Sequence, residues 1–313
     1  MNLVRKVSNK IVSEREAVET FVKPGTRLRS GGIGLRKPFA LLNEVVRQAL
    51  TEITLMLSGF TEDGDILVGA GVVDKLEGSY FGLEAFGLAH NYRRAMENGI
   101  PHRIRIEEYS NYGMTARFMA AAMGIPFMPV KSQLGSDLVR HRAFRERKAH
   151  EMVDPFGGEK VMLLPACPVD VAFVHAQRCD DSGNVQVWGP IGDDEWGARA
   201  AREIVVEVEE VVDEDIVRRD PNRTIIPSFM VSAIVVAPYG SHPYQCQGYY
   251  DLDLEFRRMY AEETRSREGF ERYLEEWVYG VENHQGYLDK LGADRLERLR
   301  AQPALSDPVD YGY

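Results

Sequence analysis

Cysteine is scarce in this chain: Cys167, Cys179 and Cys246 are the only three among 313 residues. An odd count with no CxxC pair offers neither a disulfide framework nor a thiolate zinc site, and a reducing cytoplasm is the expected setting. No apolar run approaches the roughly 18 residues of a membrane span. Met1 to Glu16 is charged throughout and lacks the apolar segment of a signal peptide, so no processing is expected. Positive charge is also short, with 38 Lys and Arg against 48 Asp and Glu and a net charge of -10. Nucleic acid and anionic membranes are therefore poor partners for the whole molecule. Linkers rich in Pro, Gly and Ser are missing, as is any fixed-period repeat. His90, His102, His141, His150, His175 and His284 show no metal-binding spacing, and no metal site is expected.

What is present is a 44% hydrophobic composition, enough for one large α/β core or two modest ones. Ser13 and Glu16 have capping-box spacing at the head of a short helix within Ile11 to Val22. Thr26 to Arg29 reads as a strand, Ser30-Gly31-Gly32-Ile33-Gly34-Leu35-Arg36-Lys37-Pro38 as a glycine turn, and Phe39, Leu42, Val46 and Ala49 recur at helical spacing. Ile53 to Leu57 is the next strand, and Ile66 to Val73 is apolar, punctuated by Gly69 and Gly71. Helices are expected over Glu84 to Asn98 and Met114 to Met123, closed by Gly99 and Gly124, with a strand at Ile104 and Ile106 between them. After the turn cluster Asp154 to Gly158 come strands at Val161 to Leu164, Val169 to Val174 and Val185 to Val187. An Ala-rich helix (Trp196 to Glu203) and strands at Ile204 to Val212 and Ala233 to Val236 follow. From Leu252 to Leu299 the chain reads as charged helices with an aromatic stripe. Parallel βαβ units are the economical arrangement.

Five stretches carry candidate chemistry. Glycines between a strand and a helix free backbone N–H groups to meet negative charge, and Arg36 and Lys37 add two cations. Lys37 stands where a dinucleotide fingerprint needs its third glycine, and there is no phosphate-loop motif. Glu107-Glu108 ends a strand, where α/β folds place their sites; a solvated loop is the plain alternative. Glu97-Asn98-Gly99 reads as a helix C-cap. His242 and Cys246 can be drawn as a Cys/His pair, although a rigid Pro-bracketed loop explains them more simply. Lys131 to Lys148 is a basic stretch on an acidic protein.

Several of these segments together resemble the A (α) subunits of family I coenzyme A transferases. Ser30 to Pro38 is similar to the family's Gly-Gly-(aromatic)-x-x-x-Gly-x-Pro signature, with Ile33 replacing the aromatic and Lys37 near the second glycine. Ser79-Tyr80-Phe81-Gly82 resembles its Ser-Tyr-x-Gly segment, and Glu108 with Gly113 its Glu-x-x-x-x-Gly. Asp170-Val171-Ala172 and Asp181-Ser182-Gly183-Asn184 resemble its core strands and hairpin. Glu209-Glu210, Arg218-Arg219-Asp220-Pro221 and Ala237 to Pro243 are similar to the glutaconate type.

The resemblance implies an open, mixed, mostly parallel sheet flanked by helices. The α/β part would span 1–250, with a helical C-terminal extension over 251–313 in the same compact unit. It also implies a cytoplasmic hetero-oligomer in which the B subunit supplies the nucleophilic glutamate from a Ser-Glu-Asn-Gly-type motif absent here. This chain would then give the Gly31 and Gly32 amides and Glu108 as catalytic groups, and Ser30, Arg36, Lys37, Ser79, Tyr80 and Gly113 as substrate-binding groups. The CoA thioester, of a dicarboxylic acid by the resemblance, enters as substrate, and no permanent cofactor is expected. The basic stretch would meet a dicarboxylate, CoA phosphates or the partner. Alternatives are a ring-opening CoA-ester hydrolase with Glu108 as base, a glutaconyl-type decarboxylase, or a non-catalytic effector-binding domain.

Overall fold

A computed structural model of the chain describes residues 10–302; positions 1–9 and 303–313 of the two expected regions lie outside the described residues. Helix α1 (Glu14–Phe21) opens on the capping box, Ser13 Oγ accepting from the Glu16 amide and the Glu16 carboxylate from the Ser13 amide. Strand β1 (Arg27–Ser30), helix α2 (Phe39–Arg47) and strand β2 (Ile53–Leu57) follow. The apolar run through Gly69 and Gly71 divides into helix α3 (Glu62–Gly69) and strand β3 (Val73–Gly78), because Gly71 turns the chain at a φ of 81°. The helix expected from Glu84 is shorter: Glu84–Phe86 is a single 3-10 turn, Gly87 breaks it at a φ of 94°, and α4 runs only over His90–Asn98. Strand β4 (Arg105–Glu108) leads to helix α5 (Asn111–Ala122).

Strands β5 (Phe127–Val130), β6 (His150–Val153) and β7 (Lys160–Pro165) form a separate antiparallel sheet in the order β5-β7-β6, so the Asp154 to Gly158 turn joins two paired strands. Then come β8 (Val169–Asp180), β9 (Val185–Gln186), α6 (Asp194–Arg199), β10 (Ala201–Val212), α7 (Glu214–Arg219), β11 (Thr224–Ile226) and β12 (Ala233–Val236). The Ala-rich helix stops at Arg199 rather than Glu203, since Ala201 and Glu203 pair with Val169 and Val171 of β8. Sheet pairing outweighs helical propensity there. Helices α8 (Leu254–Glu263), α9 (Arg267–Leu274), α10 (His284–Leu291) and α11 (Ala293–Leu299) complete the chain.

The main sheet runs β12-β10-β8-β1-β2-β3-β4, all parallel, with β9 antiparallel on the far half of β8 and β11 on β9. Strand alternation divides the core. Leu28, Leu55, Leu57 and Phe173 face α1 to α3 and the C-terminal helices, whose Phe256, Tyr260, Phe270 and Tyr273 belong to the same buried cluster. Met56 and Ala172 face the other way, against Met114 and Phe118 of α5, and the small sheet adds Met162 and Leu164 behind them. The layers are helices, parallel sheet, helix α5, small sheet. Four parallel strands therefore deliver four loops to one edge.

Candidate functional site

Those loops enclose a cleft of about 340 Å3 lined by Ile33 and Gly34 after β1, Gly59 and Thr61 after β2, Tyr80 and Glu84 after β3, and Asn111 after β4. The glycine turn is built from left-handed backbone, with φ of 79° at Gly32, 68° at Gly34 and 45° at Arg36. A Cβ at Gly32 would lie 2.2 Å from the Leu35 carbonyl oxygen, so only glycine fits.

The two amides expected to hold an oxyanion are already engaged. Gly31 N–H donates to Phe173 O at 2.9 Å, extending the β1–β8 ladder, and Gly32 N–H donates to Asp194 Oδ1 at 2.8 Å. The next two amides, of Ile33 and Gly34, donate to nothing among the described residues and border the cleft. The unengaged amides of this loop therefore lie two positions beyond the expected pair.

The two cations are also corrected. Arg36 is fully buried and points away from the cleft, donating to Pro190 O at 2.6 Å and Asp194 Oδ2 at 3.3 Å. Lys37 is equally buried, its Nζ 2.8 Å from Asp63 Oδ2 and 2.9 Å from Gly59 O. Ser30 Oγ donates to the same Asp63 oxygen at 3.2 Å. Beneath the loop, Arg29 meets Asp193 at 2.7 Å and Asp194 at 3.0 Å; burial opposes its charge, but the two carboxylates outweigh burial and raise its pKa. Three buried cations thus face three buried carboxylates, which is the condition for keeping charges out of water. The network holds the loop, and none of its side chains lines the cleft.

Ser79 and Gly113 likewise serve the scaffold. Ser79 Oγ donates to Ser58 O at 2.8 Å, and Gly113 allows α5 to approach Gln133, whose Oε1 would be 2.4 Å from an added Cβ. Tyr80 does line the cleft, 46% exposed at a φ of 52°. Glu107 is buried and its Oε1 accepts from the Ala143, Phe144 and Arg145 amides at 2.9–3.0 Å, tying the basic stretch to the end of β4. Glu108, half-buried on the opposite face, stands outside the residues lining the cleft. Its charge is felt by Tyr92, whose pKa is pushed up to about 12 by burial first and by Glu108 second. Within the basic stretch, Arg145 binds Glu77 and Lys148 Nζ donates to the Leu138 and His141 carbonyls at 2.7 Å, so neither is available to a ligand.

Sequence reading missed Asn111, Thr61 and Glu84. Asn111 had a usable signal: Ser110 caps α5, with Gly113 N–H donating to its Oγ at 2.9 Å, directly after a strand that ends at the site edge. Asn111 Nδ2 donates to Ser58 O. Glu84 carries a φ of 55°, and its Oε2 is 2.9 Å from Nη1 of Arg257, which Glu62 holds at 2.8 Å.

His242 and Cys246 do not pair with each other: His242 bonds Tyr287 OH at 2.6 Å and Asp253 at 3.0 Å. Cys246 instead joins His175 and Glu209, whose ligand-type atoms lie within 4.8 Å of one another, a convergence from β8, β10 and a loop that sequence spacing could not reveal. His175 Nδ1 lies 2.7 Å from Glu207 and Nε2 2.8 Å from Glu209, while Tyr250 OH and the Tyr239 amide donate to Glu209 at 2.8 and 2.7 Å. Burial lowers the His175 pKa, but its bonds to Cys246, Glu207 and Glu209 outweigh that and hold it well above 6.5. An imidazolium between two carboxylates accounts for the cluster. Through Glu207, which accepts from the Leu41 amide at 2.9 Å, it anchors the start of α2 just beyond the glycine turn.

Residues 12–237 match the family model described as Coenzyme A transferase. Over 96% of its length the chain is 34% identical to the A subunit of glutaconate CoA-transferase from Acidaminococcus fermentans, spanning 98% of that protein. Its fold superposes on the crystal structure of that enzyme with a TM-score of 0.90. The structure of the decarboxylase AibA/AibB is similar at a TM-score of 0.70 and 31% identity, with 84% of this chain and 97% of that one covered. The chain is also 39% identical to an uncharacterized protein of Archaeoglobus fulgidus, over 96% of its own length and 66% of that protein's.

Proposed function

Because this chain belongs to the coenzyme A transferase family, we propose that it is the A subunit of a two-chain enzyme that moves CoA from an acyl-CoA to a carboxylic acid. The observation that carries this reading is a cleft with free donors and no free carboxylate among the described residues. Ile33 and Gly34 offer two amides, and the single carboxylate among the described residues lining the cleft, Glu84, is tied to Arg257. A second chain must then supply the attacking group.

In that reaction a partner carboxylate oxygen attacks the thioester carbonyl carbon and the C–O bond forms. The carbonyl oxygen becomes an oxyanion held by the Ile33 and Gly34 amides, and the C–S bond breaks to release CoA thiolate and leave a mixed anhydride. The thiolate then attacks the partner's carbonyl carbon and frees the first acid; a second acid reverses both steps. Two donors of this kind matter by about 10² to 10³ in rate each. Tyr80 and Asn111 border the acyl group. A dicarboxylic acyl chain would need its cation from the partner, since Arg36 and Lys37 are committed to Asp194 and Asp63.

The test follows CoA-ester consumption with and without an acceptor acid, for the chain alone and with its partner subunit. Turnover is expected only from the pair and only with acceptor. Turnover by the chain alone would overturn the two-chain reading; equal consumption in water alone would make the enzyme a hydrolase. Glu108 ends β4 outside the residues lining the cleft, and Glu108→Gln is expected to leave transfer intact. A large loss would restore it as a catalytic group.

A further inference from the structure

At the cleft the charges do not balance. The three buried cations beneath the glycine turn are matched by three buried carboxylates, but Arg257 serves two. Its Nε lies 2.8 Å from Glu62 Oε1 and its Nη2 3.2 Å from Glu62 Oε2, a two-point grip that Tyr244 OH reinforces by donating to the same carboxylate at 2.6 Å. Nη1 is left for Glu84 Oε2, 2.9 Å away. Burial opposes the Arg257 charge, and Glu62 does most to outweigh it and raise the pKa, ahead of Glu84. One guanidinium thus meets two carboxylates. Glu62 is sealed at 1% exposure, whereas Glu84 is 39% exposed and lines the cleft, so the surplus negative charge stands where substrate enters.

Glu84 is fixed in place. Its backbone is left-handed at a φ of 55°, inside a turn closed by Leu83 N–H on Gly87 O at 2.7 Å and Phe86 N–H on Leu83 O at 3.1 Å. Its second oxygen, Oε1, bonds nothing among the described residues and lies 3.3 Å from where a Gly34 Cβ would be. An acyl chain whose carbonyl oxygen sits on the Gly34 amide therefore runs past Oε1. The neighbouring polar atoms are acceptors as well. Thr61 Oγ1 gives its proton to Asp63 Oδ1 at 3.1 Å, which leaves it only lone pairs, and Gly59 O already takes Lys37 Nζ at 2.9 Å. Ile33 supplies an apolar wall against Gly59 and Gly192, its side chain 3.3 and 3.5 Å from Cβ positions there.

We propose that Glu84 determines acyl specificity, selecting a short acyl chain without a second carboxylate and with a terminal hydroxyl that donates to Oε1; the assignment rests on the transfer reading above. A carboxylate end offers only lone pairs and sets like charge against Glu84, which is how sites reject a wrong ligand. An ammonium end would face Arg257, whose Nη1 already holds the other oxygen of Glu84 at 2.9 Å. A hydroxyl brings the donor without the charge. The chain is short because the cleft, at about 340 Å3, lies near the lower end of ligand sites, about 300–1,000 Å3.

The experiment compares acceptor acids ending in a methyl, a hydroxymethyl or a carboxylate group, at matched chain lengths, by kcat/KM of the assembled pair. At the length turned over fastest, the wild type should rank hydroxymethyl above methyl above carboxylate. The carboxylate-ended acid should trail by about tenfold, a gap that narrows at high salt because Glu84 is partly exposed. Glu84→Gln removes the charge and keeps an oxygen for Arg257. In that variant the carboxylate-ended acid should gain about tenfold on the methyl-ended one, and the hydroxymethyl advantage should shrink by about threefold to tenfold as its acceptor loses charge. The wild-type ranking tests the proposal without any variant. A wild type that prefers the carboxylate-ended acid overturns the proposal, as does an order of preference that Glu84→Gln leaves unchanged; in both cases turnover with an acceptor keeps the transfer reading. Absence of turnover with every acid overturns both.

Discussion

Replacing Lys37 by Met separates a substrate-binding lysine from a structural one. Both Lys37 and Asp63 are fully buried, with Nζ 2.8 Å from Oδ2. Without the amine, Asp63 keeps three neutral donors: Ser30 Oγ at 3.2 Å, Thr61 N–H at 3.0 Å and Thr61 Oγ1 at 3.1 Å. Removing one partner of a buried pair costs about 3–5 kcal/mol because the other charge is left uncompensated. For a chain of 313 residues that corresponds to a fall in melting temperature of about 5–8 °C. Lys37→Met/Asp63→Asn removes both charges at nearly constant volume and should recover more than half of the loss, which a double-mutant cycle would register as coupling. The assay is thermal melting of all four proteins, with KM measured on the assembled enzyme. A Lys37→Met protein that melts with the wild type while KM for the acid rises tenfold would refute the reasoning and return Lys37 to the substrate.

Three further outcomes are expected. Gly34→Ala puts a side chain at a φ of 68° with its Cβ 3.3 Å from Glu84 Oε1; it should cost about 1–2 kcal/mol of stability and lower kcat by about tenfold or more as the amide shifts, and an unchanged kcat would remove this amide from the oxyanion site. Asn111→Ala, read as kcat/KM with the pair intact, should lose about threefold to tenfold, the worth of one hydrogen bond. His175, with its folded pKa held above 6.5, contributes stability that is full below 6.5 and lost as pH rises through the folded value. Glu207, pushed up to about 7 by burial, acts in the same direction between 4.5 and 7. His175→Gln should therefore destabilise more at pH 6 than at pH 9 in urea melts; a gap that widens with pH would reverse the sign.

Much of the scaffold was legible because it is written locally. The capping box at Ser13 and Glu16, the left-handed Gly99 closing α4 at a φ of 70°, and the runs of β2 and β12 each depend on residues within a few positions. Where distant pairing competes, local reading failed, as at Ala201, taken into β10 by β8. The site divided the same way. The glycine turn stands at the cleft, but which of its amides are free depends on Phe173 and Asp194, more than 140 positions away.

From sequence alone came the order strand, glycine turn, helix, the family resemblance, and the lack of a nucleophilic motif, all readable from residue identity and short spacing. Tertiary structure decided the roles of the charges. Arg36 and Lys37 could have faced a substrate or a buried carboxylate, and the fold chose by bringing Asp194 from 158 positions away and Asp63 from 26. A charge acts by what lies within a few ångströms and by whether water reaches it, and neither is a local property of the chain.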